Sequence, residues 1–324
     1  MTEDNEIQDK LENFDKPSIA LQIPLQKSNT FYLENEKQKF IDFGINLIDS
    51  LKLDEEQVMG RPRCPYKDII KSLLVMAFHG MSYRRAKSDI ISLYETHLID
   101  TIPKKSTLHK YMNLKETKKI VESLIQHTSL FFREHEDTLI VDSTWISKRM
   151  YTGGFKKVHD KTSATHAKCR KIHLGVLKNS HIIAVCKTSD GLTHDNKLFK
   201  DLITIPVKNG FELTTLLADK GYCSKNNYFL CESLNIKNAF IDFKSNAIPQ
   251  KGKSFAWRRQ LELFKEHPEI WKENYRYRVI VEGVISSIKR KCLNYLRSKK
   301  PIAMDTELLL KCLIHNLVII GKYV

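Results

Sequence analysis

Glycine and proline are scarce in this sequence, and its cysteines follow no pairing pattern. The 324 residues include only 12 glycines and 9 prolines, which excludes collagen-like and low-complexity proteins. The seven cysteines include no C-x-x-C pair, so the sequence indicates neither a zinc ribbon nor a disulfide framework. This pattern predicts a globular protein of a reducing, intracellular compartment.

A long hydrophobic run is also missing. The first ten residues, MTEDNEIQDK, are acidic and polar, unlike the charged and then apolar start of a signal peptide. The most apolar stretch, near 308–320, is interrupted by Lys311, His315 and Asn316, which is not typical of a transmembrane helix. We therefore expect a cytoplasmic protein with no membrane association.

Acidic residues are fewer than basic residues, and the two kinds are distributed unevenly along the chain. Lys and Arg total 53 against 38 Asp and Glu, which gives a net charge of +15. Residues 1–60 hold 13 acidic and 6 basic side chains, so the excess of positive charge lies in the rest of the chain. A basic surface of this kind is typical of proteins that bind a nucleic-acid backbone. A generally lysine-rich surface is the alternative interpretation.

The first part of the chain is predicted to be helical. An acidic tail and a first helix are expected over 1–59, and helices then alternate with turns over 60–133. In this second region Ser82 and Ser106 are candidate helix caps, and Gly80 is a candidate helix stop. Segments 82–93 and 106–112 are a candidate helix-turn-helix, or else a bundle that only supports the next domain.

The apolar pattern changes after residue 133. Short segments rich in β-branched residues predict strands over 138–146, 171–177, 180–188, 212–219 and 237–243. Helical segments are predicted near 195–203, 224–234 and 255–295. Because strands and helices alternate, we expect residues 134–324 to form a mixed α/β domain.

Two aspartates each follow an apolar strand segment. Asp142 comes after Thr-Leu-Ile-Val, and Asp219 comes after Thr-Leu-Leu-Ala. A single aspartate at a strand end more often caps a turn. Two such carboxylates on neighbouring strands of a basic protein indicate a site for a hard cation such as Mg²⁺.

A third acid lies in a polar stripe of the predicted helix near the C-terminal end. Spacings of three, four and seven residues put Tyr275, Arg278, Glu282 and Lys289 on one side of a continuous helix. Such a stripe points an acid, two cations and a phenol in one direction. An exposed face with ordinary ion pairs is the alternative, because Arg278 and Glu282 are four residues apart.

This stripe resembles the Y-R-E-K motif of DDE transposases from bacterial and archaeal insertion sequences, of the kind found in families four and five. The segments 138–144, TLIVDST, and 216–225, LLADKGYCSK, resemble those that carry the first and second aspartates of that family. The resemblance spans about residues 60–320 and implies a ribonuclease-H-like catalytic core after an all-helical DNA-binding region.

The resemblance also implies roles for individual residues. Asp142, Asp219 and Glu282 would be the catalytic acids and the ligands of two Mg²⁺ or Mn²⁺ ions. Tyr275, Arg278 and Lys289 would contact DNA phosphates, and His194 and Asp195 correspond to a polar pair that we expect to cap a helix rather than to act in catalysis. No organic cofactor is implied.

Further DNA contacts are predicted from basic residues in the helical region. Arg61 and Arg63 flank Pro62 and are candidates for an arm that enters the minor groove of DNA. Lys104, Lys105 and Lys110 are candidates for contacts in the major groove. A basic segment near 156–171 is a candidate for backbone contact. Its histidines, His159, His166 and His173, lack the cysteine pair that would favour a zinc site.

The function expected from these features is metal-dependent cleavage of transposon ends and strand transfer into target DNA. Double-stranded DNA would be the partner, a homodimer would hold two DNA ends, and the host would be a prokaryote with the protein at its nucleoid. A structure-specific nuclease of the same fold and a catalytically silent DNA-binding regulator are the alternatives.

Overall fold

The computed structural model describes residues 29–51, 53, 63–147, 169–243 and 255–323. Up to residue 135 the described chain forms helices and turns. Gly80 stops the second helix in a left-handed conformation (φ 58°) and its backbone N–H donates to the carbonyl of Ala77, as the sequence predicts. The helices are α1 (Asn29–Asp49), α2 (Tyr66–Phe78), α3 (Lys87–Glu95), α4 (Lys105–Tyr111) and α5 (Lys115–Leu130).

The described strands form one mixed sheet in the order β3-β2-β1-β4-β5. Strand β1 pairs antiparallel with β2, and β2 pairs antiparallel with β3. On its other edge β1 pairs parallel with β4, and β4 pairs parallel with β5. The strands are β1 (Thr138–Ser147), β2 (Cys169–Leu177), β3 (Ile183–Asp190), β4 (Thr215–Ala218) and β5 (Asn238–Ile241).

Helices flank this sheet, and the last of them lies in the centre of the core. All but three of its twenty residues are buried, and it contacts α1, α2, α5 and β3. Among the described residues no helix is both long enough and apolar enough to cross a membrane. The later helices are α6 (Phe199–Lys208), α7 (Lys225–Ser233), α8 (Phe255–Glu266), α9 (Pro268–Tyr275), α10 (Val279–Lys291) and α11 (Pro301–Ile320).

The five predicted strands are confirmed, with ends that shift by a few residues. One detail is wrong, because Asp142 does not end its strand. Residues 143–147 continue β1 against β2, whereas the parallel pairing with β4 stops at Val141. Asp142 therefore lies at the point where β1 loses one of its two neighbours.

Three helix predictions need correction. The continuous helix expected over 255–295 is divided into α8, α9 and α10, because Pro268 cannot continue the preceding helix and residues 276–278 form a 3-10 turn. Helix α3 begins at Lys87 rather than after a cap at Ser82, and α4 begins at Lys105 rather than after Ser106. Residues 96–104 separate these two helices, which is longer than the tight turn of a helix-turn-helix.

Candidate active site

The parallel part of the sheet lines up three aspartates. Val141 of β1 lies opposite Ala218 of β4, and Ala218 lies opposite Ile241 of β5. The next residues are Asp142, which is still part of β1, and Asp219 and Asp242, which directly follow β4 and β5. Because the carboxyl ends of neighbouring parallel strands meet at one edge of a sheet, this register brings the three aspartates to the same edge.

Asp242 was missed by the sequence reasoning, although its signal is the same as that of Asp142 and Asp219. It follows the apolar residues Ala-Phe-Ile of a predicted strand. Burial raises the pKa of Asp242, and the nearby Asp219 carboxylate raises it further, while Lys220 and Arg278 act in the opposite direction. Asp242 therefore lies in the same electrostatic environment as the predicted catalytic acids.

Asp142 is held by two hydrogen bonds of different origin. Its Oδ1 accepts the backbone N–H of Ser143 at 2.8 Å, and its Oδ2 accepts Nη2 of Arg278 at 2.9 Å. Burial raises the pKa of Asp142, and the Asp219 and Glu282 carboxylates raise it further, against the lowering effect of Arg278 and Ser143. The three predicted acids thus act on one another across the site.

Arg278 joins the sheet to helix α10. Its Nη1 donates to Oε1 of Glu282 at 2.6 Å, while Nη2 donates to Asp142. The Asp142 side chain is 13% exposed and that of Glu282 is 53% exposed. The ion pair between Arg278 and Glu282, which the alternative interpretation of an exposed face expects, is present. The same guanidinium also reaches the first predicted catalytic acid.

Lys289 approaches the next position of β1 on the same side. Its Nζ donates to Oγ1 of Thr144 at 2.8 Å, and Asp142 and Thr144 share a face of the strand because side chains alternate. Burial lowers the pKa of Lys289. Arg278 and Lys289 therefore point towards β1 together, as the predicted stripe requires.

Tyr275 reaches the site by another route than the one expected. It is the last residue of α9, and the 3-10 turn at 276–278 separates it from the other three residues of the predicted stripe. Its ring stacks on Trp271 at 6.4 Å. Burial raises the pKa of Tyr275, with an opposing effect of Arg278 and smaller contributions from Asp242, Asp219 and Asp142. The phenol thus remains beside the carboxylates.

A second polar cluster lies on the opposite face of β1. Oδ1 of Asp195 accepts Oγ of Ser143 at 2.7 Å and pairs with Nζ of the buried Lys171 at 2.6 Å. His173 is fully buried beside Asp195, at 3.4 Å from Nδ1 to Oδ1. Because Ser143 also donates its backbone N–H to Asp142, Asp195 is connected to the first predicted catalytic acid through one residue.

His194 and Asp195 play different structural parts. The side chain of His194 accepts the backbone N–H of Asn196 and caps the turn at 195–198, in agreement with the expected capping. Asp195 makes no such cap, because its carboxylate is engaged by Ser143 and Lys171. The capping interpretation is therefore right for His194 and wrong for Asp195.

The predicted basic contacts of the helical region lie at the surface where the structure describes them. Arg63 is exposed, and Arg61 lies outside the described residues. Lys104 precedes α4, Lys105 begins it and Lys110 lies near its end, all three exposed. These lysines are available to an anionic partner.

The basic segment near 156–171 is described only at its end, since residues 148–168, with His159 and His166, lie outside the described ranges. There the expectation of a basic loop is wrong. Arg170 and Lys171 belong to β2, where they pair with Asp305 and Asp195. These two side chains are engaged inside the protein.

The oxygen-rich donor set suits a hard divalent cation. Mg²⁺ and Mn²⁺ prefer carboxylate oxygens and keep several waters, and Asp142, Asp219 and Glu282 offer such oxygens at one sheet edge. Within the ranges that the structure describes, no three acidic, histidine or cysteine residues lie close enough to hold a metal as they stand. At this site the guanidinium of Arg278 contacts both Asp142 and Glu282.

One comparison with known proteins gives a match over the part of the chain that contains these residues. The family model described as Transposase DDE domain matches residues 133–317, which include the whole described sheet and most of α11. Neither the curated proteins nor the solved structures contain a match. The family match covers more than half of the chain and every acid of the site, so the protein belongs to the transposase DDE-domain family.

Proposed function

We propose that this protein is a DDE transposase that cleaves DNA at transposon ends and joins the freed 3′-hydroxyl to target DNA. The observation that carries the proposal is the parallel register, which makes Asp142 and Asp219 neighbours, together with the contact of Arg278 that links Asp142 to Glu282. Membership of the family supports the same conclusion.

A ribonuclease-H-like core is part of this proposal. Its support is the strand order β3-β2-β1-β4-β5, with three antiparallel strands followed by two parallel additions. In this sheet Asp142 lies on the central strand, and Asp219 follows the parallel neighbour of that strand.

The carboxylates of Asp142, Asp219 and Glu282 would hold two Mg²⁺ or Mn²⁺ ions. Such ions, when bound, activate a water or a 3′-hydroxyl and stabilise the leaving oxygen of a phosphodiester. Tyr275, Arg278 and Lys289 would bind the phosphates beside the scissile bond, since arginine offers a planar fork and lysine a compact charge. Asp195 would hold Ser143, and with it the backbone that orients Asp142.

The helical region would supply the remaining DNA contacts. Arg61 and Arg63 are the candidates for a minor groove, and Lys104, Lys105 and Lys110 are the candidates for a major groove. A homodimer would bring two transposon ends together. These assignments are supported by the exposure of Arg63 and of the three lysines and by the net charge of +15.

The proposal is tested with labelled DNA that carries the ends flanking this gene. We expect nicked and joined products with Mg²⁺ for the wild type, and neither for Glu282→Gln. Glu273→Gln is the matched control, because Glu273 is an exposed glutamate of α9 and its loss is expected to leave both products unchanged.

Other results would support the alternatives instead. Binding without any cleavage by the wild type would indicate a DNA-binding regulator. Cleavage without joining, and without a requirement for the terminal sequences, would indicate a structure-specific nuclease. Products that persist in Glu282→Gln would remove Glu282 from the set of catalytic acids.

A further inference from the structure

The contacts of Arg278 are unusual for an arginine beside two carboxylates. Arginine commonly binds one carboxylate with two parallel N–H groups, as Arg170 binds Asp305 through Nε and Nη2, both at 2.7 Å. Arg278 instead gives Nη2 to Asp142 and Nη1 to Glu282. Its Nε is buried and has no hydrogen-bond acceptor among the described residues. One strong donor of Arg278 is therefore unused.

From this arrangement we infer that Arg278 is an exchangeable counterion of Asp142 and Glu282. When a divalent cation binds the two carboxylates, Arg278 dissociates from them and binds a DNA phosphate instead. The inference rests on the proposed function of Asp142 and Glu282 as metal ligands. It adds that cation binding and DNA binding are coupled through one side chain.

The charges around Arg278 explain why it takes this position without a cation. Asp142, Asp219 and Glu282 would repel one another at the edge of the sheet, and one guanidinium reduces that repulsion. Burial lowers the pKa of Arg278, but Asp142, Tyr275, Asp219 and Glu282 raise it by more. The arginine is thus held as a cation by the acids that it joins.

A cation held by Asp142 and Glu282 would compete with Arg278 for the same two carboxylates. Oδ2 of Asp142 and Oε1 of Glu282 are the atoms that Arg278 contacts, and a divalent ion between these residues would bring a second positive charge next to the guanidinium. Like charges this close repel each other strongly in a partly buried site. The guanidinium would therefore move away.

The released side chain would be suited to a phosphate. Glu282 is half exposed and the Arg278 side chain is 20% exposed, so solvent reaches both side chains. Its Nε and one Nη could then act as a parallel pair of donors, which is the geometry that phosphate oxygens accept. By linkage, a cation that favours the released arginine strengthens DNA binding, and DNA strengthens cation binding by the same factor.

The decisive measurement is Mn²⁺ binding by the full-length protein without DNA, followed by electron paramagnetic resonance of the free ion. If Arg278 competes with the cation, Arg278→Gln binds Mn²⁺ about tenfold more tightly than the wild type. If Arg278 is a permanent clamp that organises the carboxylates, the same variant binds Mn²⁺ equally or more weakly. Equal or weaker binding, including no detectable binding by either protein, overturns the inference.

Arg276→Gln is the matched control. Arg276 lies two residues away in the same 3-10 turn, is exposed and donates to Tyr277, so its loss is expected to leave Mn²⁺ affinity unchanged. An equal gain in Arg276→Gln would show a general effect of surface charge and would overturn the specific role of Arg278.

A second variant guards against a folding defect, because Arg278→Gln leaves the carboxylate of Asp142 without its cation. Arg278→Lys keeps the charge but cannot join both carboxylates at once. We expect an intermediate Mn²⁺ affinity for it, and we expect Mn²⁺ to raise the melting temperature of both variants more than that of the wild type. A smaller rise in both variants contradicts the exchange.

The coupling to DNA gives an independent readout. Mn²⁺ is expected to tighten the binding of a double-stranded oligonucleotide by the wild type and by Arg276→Gln, and to do so several-fold less for Arg278→Gln. Asp142→Asn separates the two levels of the proposal. If this variant keeps full Mn²⁺ affinity, the proposed metal site itself is wrong; if it loses Mn²⁺ while Arg278→Gln shows no gain, only the exchange is wrong.

Discussion

Two arginine–aspartate ion pairs of this protein have the same chemistry and opposite surroundings. Arg170 of β2 binds both oxygens of Asp305 in α11, where Lys118 adds a second cation at 3.4 Å. Arg278 shares its two Nη atoms between Asp142 and Glu282, with Asp219 and Asp242 close by. The first aspartate is surrounded by cations, whereas the second has more acids than cations around it.

The difference distinguishes a pair that joins two elements of the fold from a pair that belongs to the proposed metal site. The Arg170 side chain is 15% exposed and that of Asp305 is 7% exposed. Their ion pair joins α11 to β2. The cluster at Arg278 keeps an excess of negative charge and opens to solvent at Glu282. Excess charge that the protein does not neutralise itself is available to a ligand of opposite charge.

The largest expected effect is the loss of DNA cleavage when Asp142 is changed. It tests whether the cluster at Arg278 acts in catalysis. Asp142→Asn removes a negative oxygen from the proposed metal site, and we expect cleavage to fall by about a thousandfold or more, since each metal contributes several kcal/mol to the transition state. The folded structure should be retained, which circular dichroism checks. Cleavage at the wild-type rate would show that Asp142 does not act in the reaction.

The corresponding change at the Arg170–Asp305 pair should lower the free energy of unfolding. Asp305→Asn leaves Arg170 and Lys118 without their buried partner, and breaking such a pair costs about 3–5 kcal/mol. Urea unfolding measures the loss. Replacing both partners, as in Arg170→Met with Asp305→Leu, is expected to recover part of it. If the single variant were as stable as the wild type, Asp305 would not have the structural role assigned to it.

The free energy of unfolding should depend on pH because of a buried histidine of α11, His315. Burial lowers the pKa of His315 to about 4, although its hydrogen bond with the carbonyl of His181 opposes the shift. Between pH 6.5, the ordinary pKa of histidine, and pH 4, His315 is protonated in the unfolded chain but neutral in the folded protein. The free energy of unfolding therefore falls as the pH falls from 6.5 towards 4.

His315→Gln provides the measurement. We expect its unfolding free energy to fall less steeply over this range, by up to about 1.4 kcal/mol per pH unit. His109→Gln, at an exposed histidine of α4, serves as the control and should keep the slope of the wild type. The same slope in His315→Gln would assign the pH dependence to other groups, among them the buried His173, whose pKa burial also lowers to about 4.

The smallest effect is expected for a single exposed lysine. Lys110→Gln should weaken the binding of double-stranded DNA several-fold and reduce the slope of log affinity against log salt by about 1. Lys265→Gln, at an exposed lysine of α8, is the matched control and should not change the slope. Equal slopes in all three proteins would exclude Lys110 from the phosphate contacts.

Much of the fold could be predicted because its signals are local. The β-branched segments after residue 133 predict the strands, and the apolar residues before Asp142 and Asp219 mark both aspartates. Asp242 carries the same local signal and was overlooked. The division of the predicted C-terminal helix was missed at Pro268, although proline is a recognised helix breaker. The 3-10 turn at 276–278 has no comparable marker in the sequence.

The site itself depends on contacts between distant residues. Arg278 and Asp142 are 136 positions apart, and Lys289 and Thr144 are 145 apart, so no periodicity could pair them. The engagement of Asp195 by Ser143 and Lys171 also depends on which residues of β1 and β2 share a face. A shift of register by one residue would turn Ser143 towards α10 and Asp142 away from it.

Short segments of the sequence are enough to predict the strands, the excess of positive charge and the acids that follow apolar residues. The folded chain is needed to bring Asp142, Asp219 and Asp242 to one level of the sheet and to let Arg278 join Asp142 to Glu282. The physical reason is that sheet register and helix docking follow from burial across the whole core. The electrostatics of a site then follow from distances that only the folded chain defines.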